Sequence, residues 1–368
     1  PSDELVLRRA AFSTLDGWQS ADLSGAFRAF VASCRKIVAR ADGEAFGGVA
    51  AYGSAGEWRS PCAAAPQAGG DPRRFFEAFF QPAIASNRAE EVGLFTGYYE
   101  PELTGSRVAG GRFVTSLLTR PGDLVMAELG VFRPTLRGER IAGRVEGGRL
   151  VPYLTRGEIV AGGLRGRSSV VAYVDDPVGA FFLQVQGSGR VRFANGEIIR
   201  VAYDGQNGHP YTAIGKILME RGEVRREEMS MQRIRAWLIA NPAKAAGLMN
   251  ENASYVFFKE QPIADPALGA EGAQGVPLIP EASLAVDLKF HALGAPMWVE
   301  ANAPSDGGQD VPFRRLVVAQ DTGGAIRGPV RGDVYWGAGA RAENIAGRMA
   351  HRGRLFVLLP KSVAARLN

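Results

Sequence analysis

Three aspartates, each at or near the end of an apolar segment typical of a β-strand, are the residues best suited to chemistry: Asp287, Asp321 and Asp333. If those strand ends meet at one rim, the carboxylates repel one another, and one of them keeps its proton above the ordinary pKa of aspartate. A carboxylic acid that is protonated near neutral pH can donate to a glycosidic oxygen. The spacing does not choose between one working aspartate and two. Aspartate also caps turns, and Asp321 and Asp333 border glycine-rich turns, so that alternative stays open here.

A second cluster of polar and aromatic residues lies in a predicted strand and consists of Thr96, Gly97, Tyr98, Tyr99 and Glu100. A purely structural strand favours Val or Ile at such positions. The cluster either forms a tyrosine platform for a sugar ring with a carboxylate beside it, or it packs both faces of a sheet edge.

Residues 181–193 alternate in a way that predicts another strand, with Phe182, Gln184 and Gln186 on one face. Glutamines on one face of a sheet can bind sugar hydroxyls and acetamides, or they can form a solvated exterior face. The Gly-Ser-Gly that follows, centred on Ser188, is not a nucleophile elbow, and no His/Asp order around it supports a catalytic triad.

The elements that must position these residues are short strands separated by glycine turns, with a few helices. Frequent turn signals between about residues 108 and 203 predict a small barrel or sandwich inserted into the chain. Apolar periodicity predicts helices over residues 25–34, 73–80, 212–221, 231–241 and 243–250.

Length and charge restrict the class of protein. A chain of 368 residues favours two domains, and its 47 glycines favour turns and short strands over long helices. The net charge of +5 suits an acidic polymer, but no Lys/Arg cluster with interleaved aromatics indicates nucleic-acid binding. No apolar run approaches the roughly 18 residues of a membrane span.

The cysteines and histidines predict no metal site. Cys34 and Cys62 either form one disulfide or remain buried thiols. His209, His291 and His351 are dispersed and are not clustered with cysteine, so a zinc site has no ligand set.

A series of ordered motifs then resembles the membrane-bound lytic transglycosylase A family. The motifs are FTGYYEP from 95, VQGSG from 185, NGHPYTAIGK from 207, SYVFF from 254, VPLIP from 276, SLAVD from 283, QDTGGAIRG from 320 and GDVYWGAG from 332. The resemblance covers about residues 91–360, and residues 1–90 match less clearly.

The resemblance implies a mainly β fold with flanking helices. A double-psi β-barrel domain, built from residues 1–106 with N-terminal helices and residues 253–368, is expected to carry catalysis. Residues 107–252 are expected to form a smaller inserted β-rich domain that binds substrate, with a groove between the two domains.

The implied reaction is non-hydrolytic cleavage of the β-1,4 bond between N-acetylmuramic acid and N-acetylglucosamine, which leaves 1,6-anhydro ends. By motif position, Asp333 is the single catalytic acid and then base, supported by Asp287 and Asp321. Arg331 would lower the pKa of Asp333 if it pointed into the same cleft, so we expect Gly332 and the turn to direct it elsewhere, toward substrate carboxylates. The groove contacts are expected from Thr96, Gly97, Tyr98, Tyr99, Glu100, Gln186, Gly187, Ser188, Gly189 and Asn207.

The expected ligand is the peptidoglycan glycan strand, with no metal and no organic cofactor. The expected location is the periplasm of a Gram-negative cell, where proteins that remodel the wall are candidate partners. Membrane contact is expected only through an N-terminal lipid anchor, whose cysteine is absent from this sequence, so outer-membrane anchoring stays open. The alternatives are a non-catalytic peptidoglycan-binding protein and a hydrolytic glycosidase on the same barrel.

Overall fold

A computed structural model describes residues 2–68, 70–133, 140–323 and 325–367 of the chain. The chain forms two compact units, one made of Pro1–Tyr99 with Asp265–Asn368 and the other of Glu100–Ala264. The fold is mainly β with short helices, as the sequence predicts. Within the described ranges, no helix combines the length and apolar character that crossing a bilayer requires.

Seventeen strands are described, numbered here in chain order. They are β1 (Leu5–Arg9), β2 (Phe80–Asn87), β3 (Gly93–Glu100), β4 (Glu102–Ser106), β5 (Thr115–Leu118), β6 (Val125–Glu128), β7 (Arg140–Glu146), β8 (Arg149–Pro152), β9 (Val170–Val174), β10 (Ser188–Phe193), β11 (Ile198–Gln206), β12 (Val256–Gln261), β13 (Ser283–Ala285), β14 (Pro296–Pro304), β15 (Asp310–Asp321), β16 (Arg331–Ala338) and β17 (Ala350–Pro360).

The described α-helices are short. They are α1 (Ser24–Ile37), α2 (Arg59–Ala64), α3 (Pro72–Phe79), α4 (Leu129–Phe132), α5 (Arg156–Glu158), α6 (Pro177–Gln186), α7 (Ile214–Glu220), α8 (Met231–Ala240), α9 (Pro242–Glu251), α10 (Gly339–Ala346) and α11 (Lys361–Ala364).

The first unit contains a closed six-stranded barrel. Its order is β3, β16, β13, β15, β14 and β17, and β17 pairs back onto β3 to complete the ring. The strands β1 and β2 extend the sheet from β17. The central residues of β15, from Leu316 to Ala319, are almost fully buried, as are Leu355 to Leu359 of β17. Closure leaves the barrel without an edge strand and gives it a rigid frame.

Helix α1 packs its aromatic face against α3 and the start of β2. The rings of Phe27 and Phe30 contact those of Phe75 and Phe76. A disulfide between Cys34 and Cys62 joins α1 to α2. Of the two alternatives that the sequence left open, a disulfide or two buried thiols, the structure has the disulfide.

The second unit has a six-stranded sheet in the order β12, β11, β10, β4, β9 and β5, and a three-stranded sheet of β6, β7 and β8. Ala180 and Leu183 of α6 pack in the core beneath the larger sheet. Val178, Phe181 and Phe182 of the same helix pack in the core formed with α7, α8 and α9.

The prediction of a strand beginning at residue 181 is wrong, because residues 177–186 form α6 and only Ser188–Phe193 is a strand. Both faces of this helix are buried and carry apolar residues, so its sequence does not show the one-sided apolar pattern by which an amphipathic helix is recognised. The helix ends do carry signals: Asp176 accepts from Gly179 N, Pro177 follows it, and Gly187 at φ +85° ends the helix.

A buried ion triad ties the start of the second unit to its sheet. Glu100 is 1% exposed and accepts from Arg190 Nε at 3.0 Å and from Arg200 Nε at 2.5 Å. Both arginines are also buried. Each carboxylate oxygen is therefore occupied by a guanidinium inside the protein, and this role for Glu100 is structural.

We expect Glu100→Gln to lower the free energy of unfolding by about 3–5 kcal/mol, because two buried guanidinium groups lose their counter-charge. The matched control is Glu102→Gln, two residues further along, which breaks the more exposed pair with Arg192 at 2.8 Å. Such surface pairs contribute about 1 kcal/mol or less. Denaturant unfolding of both variants measures the difference, and equal losses would contradict the structural role of the triad.

Candidate active site

The barrel brings Asp321 and Asp333 to opposite sides of one short strand. Ala285 of β13 pairs with Asp321 of the parallel β15 and with Asp333 of the antiparallel β16. Neighbouring strands lie about 4.8 Å apart, so the Cα atoms of the two aspartates are roughly 10 Å apart, with β13 between them. Both residues therefore lie in the same region of the barrel. The two strand segments that the sequence identified as candidates therefore do converge.

A bulge in β15 decides which side chain takes this position. Leu284 pairs with Ala319 but Ala285 pairs with Asp321, so Gln320 is the extra residue. The Gln320 amide is fully buried, donates to Ala29 O and Ser33 Oγ of α1, and accepts from Ser283 Oγ. Bulges redirect a side chain in this way and are common beside active sites.

Asp333 is partly buried on β16, and one of its carboxylate oxygens has a fixed partner. Thr96 Oγ1 of β3 donates to Asp333 Oδ1 at 2.7 Å. Loss of solvation raises the pKa of Asp333 to about 6, against the opposing effects of the Thr96 hydrogen bond and the Arg331 charge; the Asp321 charge also raises it. The carboxyl thus titrates where it can both give and take a proton near neutral pH.

Arg331 does not point away from Asp333, so that expectation is wrong. Its Nη2 donates to Thr96 Oγ1 at 2.8 Å and its Nη1 donates to Gly332 O at 2.5 Å. The reason is strand alternation: residues 331 and 333 are two apart on β16 and so point to the same face. That period-2 relation is visible in the sequence and was the signal for this neighbour.

Asp321 is held by three donors. Tyr98 Oη donates to Oδ2 at 2.8 Å, while the backbone N–H groups of Ala273 and Thr322 donate to Oδ1 at 2.9 Å each. Burial raises the pKa of Asp321, and these hydrogen bonds act against the rise. Burial and the neighbouring Asp321 raise the pKa of Tyr98 well above that of a free tyrosine, so its hydroxyl remains a donor.

Asp287 organises loops instead of facing the other two carboxylates. It is 3% exposed, and its oxygens accept from Lys289 N at 3.0 Å and from Gly328 N at 2.8 Å. These bonds tie the turn after β13 to the segment that enters β16. Gly324, three residues after Asp321 in the sequence, lies outside the described residues.

The same segment before β16 is held from a second side by a buried histidine. Tyr52 Oη lies 2.6 Å from His291 Nδ1, and His291 Nε2 lies 2.6 Å from Pro329 O. Burial lowers the pKa of His291 to about 4, so the ring is neutral, with Nε2 donating to Pro329 O and Nδ1 accepting from Tyr52. Sequence reasoning did not find this role, since no local pattern marks the contact.

The remaining candidates on β3 divide by strand alternation. Tyr98 is partly exposed and its ring lies 5.3 Å from that of Tyr335, whereas Tyr99 is 3% exposed. Of the two rings only that of Tyr98 is partly exposed, and the tyrosine platform for a sugar ring stays a prediction. At Gly97 an added Cβ would lie 2.7 Å from the Trp336 ring, so this glycine permits close packing.

In the second unit the candidates near α6 differ in exposure. Gln186, Gly187 and Ser188 are partly exposed where α6 passes into β10. Gly189 is buried, and a Cβ there would overlap Leu183.

Asn207 is fully buried and its amide is saturated. Its Nδ2 donates to Leu154 O and to Ala253 O at 2.8 Å each, and its Oδ1 accepts from Tyr255 N at 2.9 Å. This burial, like that of Glu100, argues against direct ligand contact. Asn207 holds backbone groups of the second unit, and Glu100 holds the side chains of Arg190 and Arg200.

Three comparisons with known proteins bear on the site. Residues 94–259 match the family described as the MltA specific insert domain, and residues 282–359 match the 3D domain. Membrane-bound lytic murein transglycosylase A of Escherichia coli K12 is 35% identical over 301 residues, 79% of this chain and 73% of that protein. The Vibrio cholerae protein of the same name is 38% identical over 211 residues, 55% of each chain.

The chain belongs to the membrane-bound lytic murein transglycosylase A family.

Solved structures agree with this membership. The crystal structure of the membrane-bound lytic murein transglycosylase of Agrobacterium tumefaciens has a TM-score of 0.84 and 31% identity, and the match covers 98% of this chain and 99% of that one. The structure of E. coli MltA with bound chitohexaose has a TM-score of 0.69 and 29% identity, with 96% and 91% covered. The family, the mainly β barrel fold and the enzyme class predicted from the ordered motifs are confirmed.

In the described part of the chain, no three His, Cys, Asp or Glu side chains form a group able to hold a metal ion.

The raised pKa of Asp333 predicts a pH-dependent cost in stability for this family member. The folded state binds the proton more tightly than the unfolded state, so the charged form destabilises the fold above pH 6, and the cost disappears below about pH 4. We expect Asp333→Asn to raise the free energy of unfolding by up to about 3 kcal/mol at pH 7.5 and to have little effect at pH 3.5.

Denaturant unfolding at both pH values measures this gain. The control is Asp265→Asn, at an exposed aspartate outside the barrel strands, which is expected to lack the pH-dependent gain. A pH-independent change for Asp333→Asn would show that the Asp333 carboxyl is not destabilised by burial.

Proposed function

We propose that this chain cleaves the β-1,4 bond between N-acetylmuramic acid and N-acetylglucosamine without water, with Asp333 as acid and then base. The observation that carries the proposal is the poorly solvated Asp333 carboxyl on a barrel strand, which has a pKa of about 6 and accepts a hydrogen bond from Thr96. Membership of a lytic murein transglycosylase family supplies the reaction class, and the chitohexaose bound to E. coli MltA supports a β-1,4-linked glycan as the ligand.

The first step is protonation of the leaving oxygen. Asp333 gives its proton to the glycosidic oxygen as the bond from muramic C1 breaks and positive charge develops on the sugar ring. Asp321 supports this step because its negative charge favours the protonated form of Asp333.

The second step returns the proton. The muramic C6 hydroxyl attacks C1 from within the same sugar, and Asp333 takes the hydroxyl proton, which regenerates the acid and leaves a 1,6-anhydro ring. Because the nucleophile is tethered, effective molarity replaces a positioned water and the second carboxylate that would activate it.

The other predicted site residues position the catalytic groups or contact the substrate. Asp287 acts as a positioning residue, because its carboxylate ties together the two loops that carry the site. Thr96, Tyr98, Gln186 and Ser188 retain their predicted roles near substrate, as partly exposed polar side chains. Gly187 is partly exposed and has no atom within 4 Å of an added Cβ, so a ligand would be able to approach its backbone. At Gly97 the corresponding space is filled by the Trp336 ring, and its predicted contact with substrate would come from the backbone alone.

We place the enzyme in the periplasm, where peptidoglycan is found. The Cys34–Cys62 disulfide supports an oxidising compartment. Attachment to the outer membrane through an N-terminal lipid and contacts with other wall-remodelling proteins belong to the same proposal. The E. coli relative is named membrane-bound, which supports attachment to a membrane.

The products of digestion test the reaction. Purified sacculi treated with the enzyme are expected to release muropeptides one water lighter than the hydrolysed form, as measured by mass spectrometry. Hydrated products would favour a hydrolytic glycosidase, and binding without release would favour a non-catalytic wall-binding protein.

We expect Asp333→Asn and Asp333→Ala to reduce release by at least about 100-fold while remaining folded, and activity near that of the wild type in either would remove the assignment.

The pH profile tests the protonation state separately. Since the reaction begins with protonated Asp333, kcat/KM is expected to fall tenfold per pH unit above about pH 6. Asp265→Asn, outside the barrel strands, serves as the control and should keep the profile. A profile that stays flat from pH 5 to 8 would contradict Asp333 as the acid.

A further inference from the structure

We propose that Arg331 is a positioning residue that acts through the Thr96 hydroxyl to keep the transferable proton of Asp333 on Oδ2. The inference rests on the proposed function, because it concerns the orientation of the acid named there. It adds a residue to the machinery and assigns the reaction to one of the two carboxyl oxygens.

The three side chains form a directed chain of hydrogen bonds. Arg331 Nη2 is 2.8 Å from Thr96 Oγ1, and Thr96 Oγ1 is 2.7 Å from Asp333 Oδ1. Arg331 and Asp333 lie on one face of β16, and Thr96 lies on the adjacent strand β3. The hydroxyl is therefore placed between a cation and a carboxyl.

The number of hydrogens fixes the direction of this chain. A guanidinium has only donors, so Thr96 Oγ1 must accept from Arg331. The hydroxyl has one hydrogen, and Asp333 Oδ1 is within reach to accept it. Because Oδ1 then accepts in both protonation states of Asp333, the acidic proton is confined to Oδ2.

Without Arg331 the hydroxyl could reverse its direction. Thr96 could then accept a proton held on Oδ1 of Asp333, and that proton would be bound to the protein when it is needed at the glycosidic oxygen. Arg331 therefore excludes an unproductive form of the acid, a role that differs from its effect through charge alone.

The guanidinium is held in a geometry that suits this role. Its Nη1 donates to Gly332 O at 2.5 Å and approaches Leu94 O at 3.4 Å, so it spans β16 and β3 while Nη2 faces Thr96. Burial lowers the pKa of Arg331, and the Asp333 charge opposes this. Arginine is not deprotonated in proteins, and the residue is therefore a cation. A planar group with several donors makes these contacts together, which a lysine ammonium does less well.

The charged and titratable groups around Asp333 come from three barrel strands. Arg331 lies on its own strand, Asp321 lies on β15, and Tyr98 lies on β3 with Thr96. Ala285 of β13, which pairs directly with Asp333, is not titratable. Removal of Arg331 or of the Thr96 hydroxyl takes away an influence that lowers the pKa of Asp333.

The experiment compares Arg331→Met, Arg331→Lys, Thr96→Val and the double variant Arg331→Met with Thr96→Val in the full chain, using purified sacculi. We expect Arg331→Met to lower kcat about tenfold with KM within about twofold, and to move the alkaline limb of kcat/KM to higher pH. Thr96→Val is expected to lower kcat by a similar factor and to move the alkaline limb in the same direction. The double variant should lose little more than Thr96→Val alone, because Arg331 acts through that hydroxyl.

Arg331→Lys is expected to recover part of kcat, since the ammonium can still donate to Thr96. The matched control is Arg352→Met, which removes an exposed arginine that donates to Val92 O from the neighbouring strand β17 and should leave kcat and the pH profile unchanged. If Arg331→Met does not fold, as judged by thermal unfolding, the decision passes to Arg331→Lys. The double variant Arg331→Lys with Thr96→Val must then have the same kcat as Thr96→Val alone.

Two outcomes would overturn the inference. One is an Arg331 variant with the kcat and pH profile of the wild type. The other is a loss that adds in full to the loss from Thr96→Val, which would indicate an independent structural effect. In either case an inactive Asp333→Asn variant and anhydro products from the wild type would leave the proposed function intact, whereas an active Asp333→Asn variant would remove the proposed function itself.

Discussion

The structure depends on holding one carboxyl group in a place where its charge is poorly solvated. Asp333 lies on a barrel strand, and the loss of water around it raises its pKa to about 6. An aspartate in water would be fully ionised at neutral pH and unable to act as an acid. The closed ring of six strands supplies the rigidity needed to keep the carboxyl in this environment.

The other features of the site limit or direct that effect. The Thr96 hydrogen bond and the Arg331 charge act against the rise in the pKa of Asp333, while Asp321 adds to it across β13. The balance suits the proposed mechanism, in which Asp333 acts as an acid and then as a base and so needs a pKa near the working pH. Asp321 is in turn held by Tyr98 and two backbone donors, which fix the positions of its oxygens.

Positioning extends well beyond the carboxylates. The bulge at Gln320 places Asp321 opposite Ala285, and the buried amide of Gln320 joins this strand to α1. Asp287 and His291 hold the segment that leads into β16 from two sides. The relatives share the fold over almost the whole chain at about 30% identity.

The sequence by itself determined the family and the barrel class, because ordered motifs are local features of the chain. It also predicted a site at three aspartates, because carboxylates at strand ends are visible in the same way. Tertiary structure decided the rest. It showed that residues 177–186 are a helix buried on both faces, that Glu100 and Asn207 are enclosed by their own unit, and that Cys34 joins Cys62. It also placed Arg331 against Thr96. Burial, strand pairing and the direction of a side chain depend on residues far apart in sequence, and so local pattern alone does not settle them.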